Sequence, residues 1–507
     1  MHRHILMGSM FLVLVFNGNA QKQDYYWVIG YGSHPGSTMS GGTDIDFNYS
    51  PPDTSYVFRA MNIGYNCASI CDKDGNLLFY TNGCYIAGAD NLPILNGDGL
   101  NPGIVANEYC EYGYLAVQGS MFISLPGSNH LYYLFHLGLD LVDGIGGISN
   151  ILYHSILDPN IDNGQGGVVS KNVVLLMDDT LAFGKMTATR HANGRDWWIV
   201  LQKMFSDTYY SFLFGPDSIQ GPFQQHIGPV NLDDNGTGQA VFSPDGSVYA
   251  HYDIYNHLNI FDFDRCSGLL SNPVHIQIPE FGDTLPLVGG LAISPNSRFL
   301  YVSNTYKVYQ FDLWANPVAS SKKTLGVYDG YASPFGSAFF SCQLGPDGRI
   351  YINCPGGENV MHLINEPDKE GLACGFTQHS FPLPTYNGSS MPHFPNYRLG
   401  ALEDSPCDTL GYLDAGEALF SEKALKVFPN PASTRLTADI TLPDYSGRHD
   451  TEILLLDALG QVVASHTLAP YASLHTFELG GLPAGVYFVM LKMDREIVAV
   501  ERVIKVQ

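Results

Sequence analysis

Six times between residues 60 and 360 the chain repeats one pattern: an apolar run, a polar turn containing Gly, Asn or Asp, and a second apolar run rich in Tyr, Phe, Val and Leu. Such a unit is a β-hairpin. The segments are Cys67–Tyr80, Met121–Phe135, Ala188–Leu201, Ala240–Ala250, Leu291–Tyr301 and Cys342–Ile352, and the last three carry the near-identical turns Ser243-Pro-Asp-Gly, Ser294-Pro-Asn-Ser and Gly345-Pro-Asp-Gly. Anchored on Gly75, Ser128, Gly194, Gly246, Ser297 and Gly348, the spacings are 53, 66, 52, 51 and 51 residues. A period near 50 with one hairpin signature per repeat predicts a β-propeller, because each small antiparallel sheet can bury its faces only by stacking on its neighbours around an axis. Positions 25–400 then hold about seven blades. Six have visible anchors, and the seventh is expected from both ends of the region, with Tyr25–Tyr31 as closing strand beside 356–400.

The pattern changes after residue 412. Short alternating runs at 435–442, 452–456, 461–468 and 473–479, followed by a strand pair to Gln507, give about seven strands in some 80 residues, which predicts a small Ig-like β-sandwich. At the other end, His2, Arg3 and His4 precede the apolar Ile5–Phe16 and the small, polar Asn17-Gly-Asn-Ala20, the layout of a secretory signal peptide cut between Ala20 and Gln21. The expected organisation is a signal peptide at 1–20, an all-β propeller at 21–412, a linker at 413–424 and the sandwich at 425–507.

The sandwich sequence resembles the type A C-terminal sorting domain of proteins exported by the bacterial type IX secretion system. The matching residues are Pro429-Asn430-Pro431, Asp457-Ala-Leu-Gly460-Gln461, Leu482-Pro483-Ala-Gly485-Val-Tyr487 and a final strand containing Lys505. The resemblance implies engagement of the type IX machinery, passage across the outer membrane, removal of this domain and attachment to surface lipopolysaccharide. The upstream region resembles a group of large secreted bacterial proteins that pair a propeller with this tail. The residues carrying that likeness are Asp74–Gly83, Lys185–Ile199, Phe261-Asp-Phe-Asp-Arg-Cys-Ser-Gly268 and Pro395-Asn-Tyr-Arg-Leu-Gly400. That group implies no biochemical activity. The Ser-Pro-Asp-Gly turns also look like those of WD-type and lactonase-type propellers, which include enzymes and pure binders alike.

Composition narrows the function. Lys+Arg 25 against Asp+Glu 49 gives a net charge of −24, which repels a phosphate backbone and excludes nucleic acid as a partner. Residues 421–507 hold 8 basic and 10 acidic residues, so the acidity lies upstream. After residue 20 no apolar run is long enough to span a bilayer as a helix.

Candidate chemistry is sparse. The nine cysteines all precede the sorting segment, and nine is odd, so at least one is left over. Hairpin symmetry suggests the disulfides Cys67–Cys84 and Cys342–Cys354; no Cys-x-x-Cys pair points to zinc. No nucleophile elbow, zincin or phosphate-loop motif occurs. Asp158-Pro-Asn-Ile-Asp-Asn-Gly-Gln-Gly166 offers calcium-like spacing, but Val169 stands where a bidentate Glu is required, so it reads as a turn; no cofactor is expected, with calcium as the alternative. Trp197-Trp198 reads as core packing rather than a sugar platform, and His362, His379 and His393 matter only if they meet at the axis. Asp179-Thr-Leu, Asp217-Ser-Ile, Asp283-Thr-Leu and Asp408-Thr-Leu resemble sites that bacteria with this secretion system O-glycosylate. The expectation is therefore a non-catalytic, cell-surface binding or adhesion protein with a polysaccharide or protein ligand. The alternatives are a polymer-degrading hydrolase or lyase with its site on a propeller face, and a structural surface-layer component.

Overall fold

The structure, a computed structural model, describes residues 21–32, 39–142, 146–182, 184–232, 238–278, 288–407, 425–440, 451–457, 461–468, 474–493 and 496–506. The signal peptide, the linker and Gly460 lie outside the described residues. The chain forms two compact units that divide between residues 410 and 411.

Among the described residues the first unit contains seven antiparallel sheets in chain order, of three or four strands each. Their first strands are Tyr26–Gly30, Ala68–Cys71, Ser120–Ser124, Thr187–Arg190, Gln239–Phe242, Gly289–Ile293 and Cys342–Leu344. Each following strand lies one place further out, so every sheet is a meander. Sheets 2 to 7 open on the six hairpins read from the sequence. In sheet 5 the turn is locked because Ser243 N–H bonds Val248 O (2.8 Å), Gly246 N–H bonds Ser243 O (2.8 Å) and the Asp245 carboxylate accepts from Ser247 N–H (3.0 Å). Gly246 has φ +74°, and in sheet 6 Ser297 accepts the same left-handed conformation at φ 60°. The 66-residue spacing belongs to sheet 3, whose outer strands Tyr132–Val142, Gly146–Asp158 and Gly167–Leu181 run to 11, 13 and 15 residues.

Neighbouring sheets are cemented face to face. Phe79 meets Tyr132 between sheets 2 and 3 (centroids 6.3 Å), Phe135 meets Phe214 between 3 and 4 (5.4 Å), and Tyr209 meets Tyr249 between 4 and 5 (6.0 Å). One apolar cluster joins Ile260 of sheet 5 to Leu300 of sheet 6, and another joins Tyr301 of sheet 6 to Ile350 of sheet 7. Trp27 of sheet 1 packs edge-on against Tyr351 of sheet 7 at 5.2 Å, so the last sheet returns to the first. This is the layout of a seven-bladed β-propeller.

The cysteine pairing differs from the hairpin expectation. The disulfides are Cys84–Cys110 and Cys266–Cys407, while Cys67, Cys71, Cys342, Cys354 and Cys374 are buried thiols. Symmetry about Gly348 failed because the ladder is centred one residue earlier: Leu344 faces Ile350 and Cys342 faces Ile352, leaving Cys354 beyond the ladder. In sheet 2 the register Ala68↔Thr81, with a bulge before Cys71, places Cys84 outside the paired strands altogether.

Among the described residues the second unit is a sandwich of seven strands. One sheet orders Leu425–Phe428, Arg435–Ile440 and Leu474–Glu478; the other orders Val462–Thr467, Thr451–Asp457, Gly485–Met493 and Glu496–Lys505. Between them lies an apolar core that includes Leu436, Ile453, Phe477, Val489 and Val503.

Candidate functional site

The axis of the first unit is where seven inner strands approach one another. An inner strand pairs on one side only, and its axial N–H and C=O groups need partners from elsewhere. Two glutamines meet that need. Gln118 donates to Ala240 O (2.6 Å) and accepts from Ala240 N–H (3.0 Å). Gln239 accepts from Leu291 N–H (3.1 Å) and Cys342 N–H (3.0 Å) and donates to Cys342 O (2.6 Å), tying sheets 5, 6 and 7 together.

Residues 388–398 fill what remains. The segment starts against the free edge of Tyr26–Gly30, where Gly388 N–H bonds Gly30 O (2.7 Å), and runs antiparallel to it until Arg398 pairs with Asp24 at 2.6 Å. Along the way Asn353 of sheet 7 donates to Ser389 O (3.1 Å) and Ser390 O (3.2 Å). His393 Nδ1 accepts from Gln239 of sheet 5 (3.0 Å), and the Tyr397 hydroxyl donates to Phe122 O of sheet 3 (2.7 Å). Met391 and Tyr397 are each 1% exposed. The channel is occupied by the protein's own chain, and the expected meeting of the two ends of the region takes this form. Burial holds the His393 imidazole neutral, pushing its pKa down to about 3.

The motif residues of the resemblance gather where this segment leaves the axis. Arg265 donates to Arg190 O (2.9 Å), His191 O (3.2 Å) and Gly400 O (2.5 Å), and Cys266 is bonded to Cys407. A Cβ at Gly194 would lie 2.4 Å from Ala401 N, and one at Gly268 would lie 2.7 Å from the Trp198 ring. Trp197 is buried under the Arg190 guanidinium at 4.0 Å, and Trp198 donates to Arg265 O (2.9 Å). These residues hold the closing segment in place.

The three histidines do not converge. His362 is buried against Phe339, its Nδ1 accepting from His379 N–H (3.0 Å), and His379 turns outward to Asp329 (2.9 Å); neither meets His393. The Asp158 carboxylate folds back onto Asn160 N–H (2.8 Å), as a turn does. Asp217-Ser218 sits on the exposed turn between strands Thr208–Phe214 and Ile219–His226. Among the described residues no group of three His, Cys, Asp or Glu is placed to hold a metal ion. The two glutamines escaped the sequence reading; an amide at or just ahead of the start of an inner strand is the signal they leave.

One pocket of about 500 Å³ opens at the axial end away from the hairpin turns, lined by Tyr31, Asn62, Tyr65, Glu111, Tyr112 and Pro355 with four residues of Gly32, Gly64, Gly356 and Gly388 and with Ser389. Its walls are pinned. Ser389 bonds Gly64 O through its N–H (2.7 Å) and Pro355 O through its hydroxyl (2.7 Å), and the Cys84–Cys110 disulfide precedes Glu111 and Tyr112.

In the sandwich the sequence motifs from both ends meet. Asn430 accepts from Ile504 N–H (2.9 Å) and donates to Arg502 O (2.6 Å). Ala432 pairs with Lys505 in a parallel bridge, and Lys505 Nζ bonds Val506 O (2.5 Å). Tyr487 donates its hydroxyl to Pro483 O (2.9 Å), closing the Pro483–Gly485 turn, and Gln461 N–H caps the Asp457 carboxylate at 2.9 Å. Pro429 and Pro431 flank Asn430 and set it opposite the final strand.

Residues 426–506 match the family described as the secretion system C-terminal sorting domain. That domain marks proteins secreted by the type IX system and attached to the outer cell surface, and this chain is one of them. Among the described residues no helix is long and apolar enough to cross a membrane. No curated protein matches the chain. Similar solved structures include the dihydro-heme d1 dehydrogenase NirN, 12% identical over 91% of this chain and 76% of that one with a TM-score of 0.36. A gluconolactonase of Xanthomonas campestris is 13% identical over 64% of this chain and 92% of that one (TM-score 0.30). Saccharomyces cerevisiae Sqt1 is 9% identical over 83% and 96% (TM-score 0.34). At such scores none of these likenesses bears on what this chain does.

Proposed function

We propose that the chain is a non-catalytic binding or adhesion module, made with a signal peptide cut between Ala20 and Gln21, carried out by a type A sorting domain and fixed to surface lipopolysaccharide once that domain is removed. The observation that carries the non-catalytic reading is the filled axis. The place where single residues from several blades would converge on a substrate is taken by residues 388–398, whose side chains are spent on the inner strands. The polar groups there are amides, hydroxyls, a histidine held neutral and, at the far end of the segment, the Arg398–Asp24 ion pair, whose members are spent on each other; Gln239 rather than a carboxylate faces His393. General acid–base work needs a group that gains and loses its proton near the working pH.

The export arm of the proposal is tested by deleting 425–507, which is expected to strand the protein in the periplasm; unchanged surface display would overturn it. The binding arm is tested by thermal shift of the full chain against polysaccharides and peptides, since a ligand at 100 times its Kd adds about 2.7 kcal/mol of stability. A reproducible shift without turnover supports the proposal. Turnover of any of these polymers would replace it with a hydrolase or lyase.

A further inference from the structure

We infer that the pocket at the mouth of the axis is a carbohydrate site that takes a neutral saccharide by stacking on Tyr31, Tyr65 and Tyr112. This rests on the binding reading above and names its ligand class.

Four observations support it. First, the three tyrosines are 42%, 42% and 62% exposed around one pocket, whereas most of the large aromatics in this unit are buried between sheets. Among the described residues none of the three rings packs on another aromatic ring and none of their hydroxyls has a hydrogen-bond partner. Ring faces and phenol groups left open together present an apolar surface edged with donors and acceptors. A pyranose has the complementary form, a face of C–H groups rimmed by hydroxyls.

Second, the lining includes Glu111 and Asn62 but no lysine or arginine. With the unit's acidity added, an anionic polymer is repelled and an uncharged one is not. Third, one wall is open and another close-packed: a Cβ built on Gly356 meets nothing within 4 Å, while one on Gly64 would lie 2.9 Å from Tyr112 O and one on Gly388 2.6 Å from Gly64 O. Fourth, the site is held before any ligand arrives. Tyr112 follows the Cys84–Cys110 disulfide by two residues, Asn62 bonds Glu111 O, and Ile63 N–H bonds Tyr31 O (3.3 Å). Backbone that is already fixed beside the ring-bearing residues loses little further freedom on binding.

The test is calorimetry of the full chain with a panel of neutral hexasaccharides differing in linkage, comparing wild type with Tyr65→Ala, Tyr112→Ala and Tyr112→Phe. All three variants alter exposed side chains, and an unchanged thermal midpoint establishes that each is folded. The expected result is measurable binding by at least one neutral hexasaccharide, weakened tenfold or more by Tyr65→Ala and by Tyr112→Ala and within threefold of wild type for Tyr112→Phe, which keeps the ring. Saccharide binding that ignores both alanine substitutions would overturn the site while leaving the binding function intact. Binding of peptides or of an alkylammonium probe, but of no saccharide, would overturn the ligand class and again leave the binding function. Failure of every probe in calorimetry and in thermal shift would overturn both.

Discussion

The two units solve the same problem, joining the first and last parts of a β-structure, with opposite materials. In the sandwich the two sheets close over aliphatic and aromatic side chains, and among the described residues only Thr451 and Lys505 are buried polar groups. In the seven-sheet unit the centre is polar: Gln118, Gln239, Asn353, Ser390 and His393 are all buried there. The difference follows from geometry. Two stacked sheets turn only side chains toward their shared interior, whereas sheets arranged around an axis turn strand edges toward it. Edges carry backbone groups, and these must be hydrogen-bonded or left at a cost of about 1–3 kcal/mol each. Apolar residues cannot do that work, and amides can.

The largest expected consequence is sensitivity to acid. His136, His251 and His393 have their pKa pushed down to about 3 and His362 to about 4, each chiefly by burial, with His154, Lys185 and His379 adding to the effect at His136, His251 and His362 respectively. A histidine that resists protonation when folded takes up its proton on unfolding. Its contribution is therefore full above about pH 6.5 and is lost as pH falls toward 3–4. At pH 5 each of the four has given up about 2 kcal/mol, enough together to consume most of the stability of an ordinary domain. In the sandwich His475 is lowered too, again by burial first, but it is only partly buried. All four tryptophans, Trp27, Trp197, Trp198 and Trp314, lie in the seven-sheet unit, so their fluorescence reports on it alone. Between pH 7.5 and 5 the tryptophan-reported midpoint should fall steeply. A flat profile would mean that these histidines are hydrated, and that the polar centre is not dry.

A smaller effect separates hydrogen bonding from mere filling of the axis. Gln239→Leu keeps the volume and removes the partner of Leu291 N–H, Cys342 N–H and Cys342 O at once. We expect a loss of about 3–5 kcal/mol, read by denaturant titration of tryptophan fluorescence. A loss below about 1 kcal/mol would show that the axis needs only to be filled.

This division also explains what could be read from the sequence. Hairpins announce themselves locally, through alternation and turn residues, so the Ser243-Pro-Asp-Gly, Ser294-Pro-Asn-Ser and Gly345-Pro-Asp-Gly turns placed sheets 5 to 7 directly. The sandwich strands were legible for the same reason. The closing segment is aperiodic, and its partners, Gly30, Phe122, Gln239 and Asn353, are spread over more than 300 residues. The partners of Cys110 and Cys407 were hidden likewise, because neither lies opposite its mate on a ladder. The pocket drew no notice for the same reason, since Tyr31, Tyr65 and Tyr112 come from three separate connections.

The smallest predicted effect tests whether the sandwich depends on a polar clasp at all. Asn430 is exposed and bonds the last strand twice, at Ile504 N–H and Arg502 O. Beside it two backbone bonds do the same job, from Ala432 N–H to Ile504 O (2.9 Å) and from Val506 N–H to Ala432 O (2.8 Å). Asn430→Ala should therefore cost only about 1 kcal/mol, the usual net worth of side-chain hydrogen bonds that water can replace. Its sharper signature is local: the Ile504 amide, deprived of its acceptor, should exchange with solvent about tenfold faster while the Val506 amide keeps its protection. Asn430→Asp retains the acceptor and should leave Ile504 protected while losing the bond to Arg502 O. Equal deprotection of Ile504 and Val506 in the alanine variant would mean that the final strand is held by the side chain rather than by its backbone. The sandwich would then share the dependence on amides that the propeller axis displays.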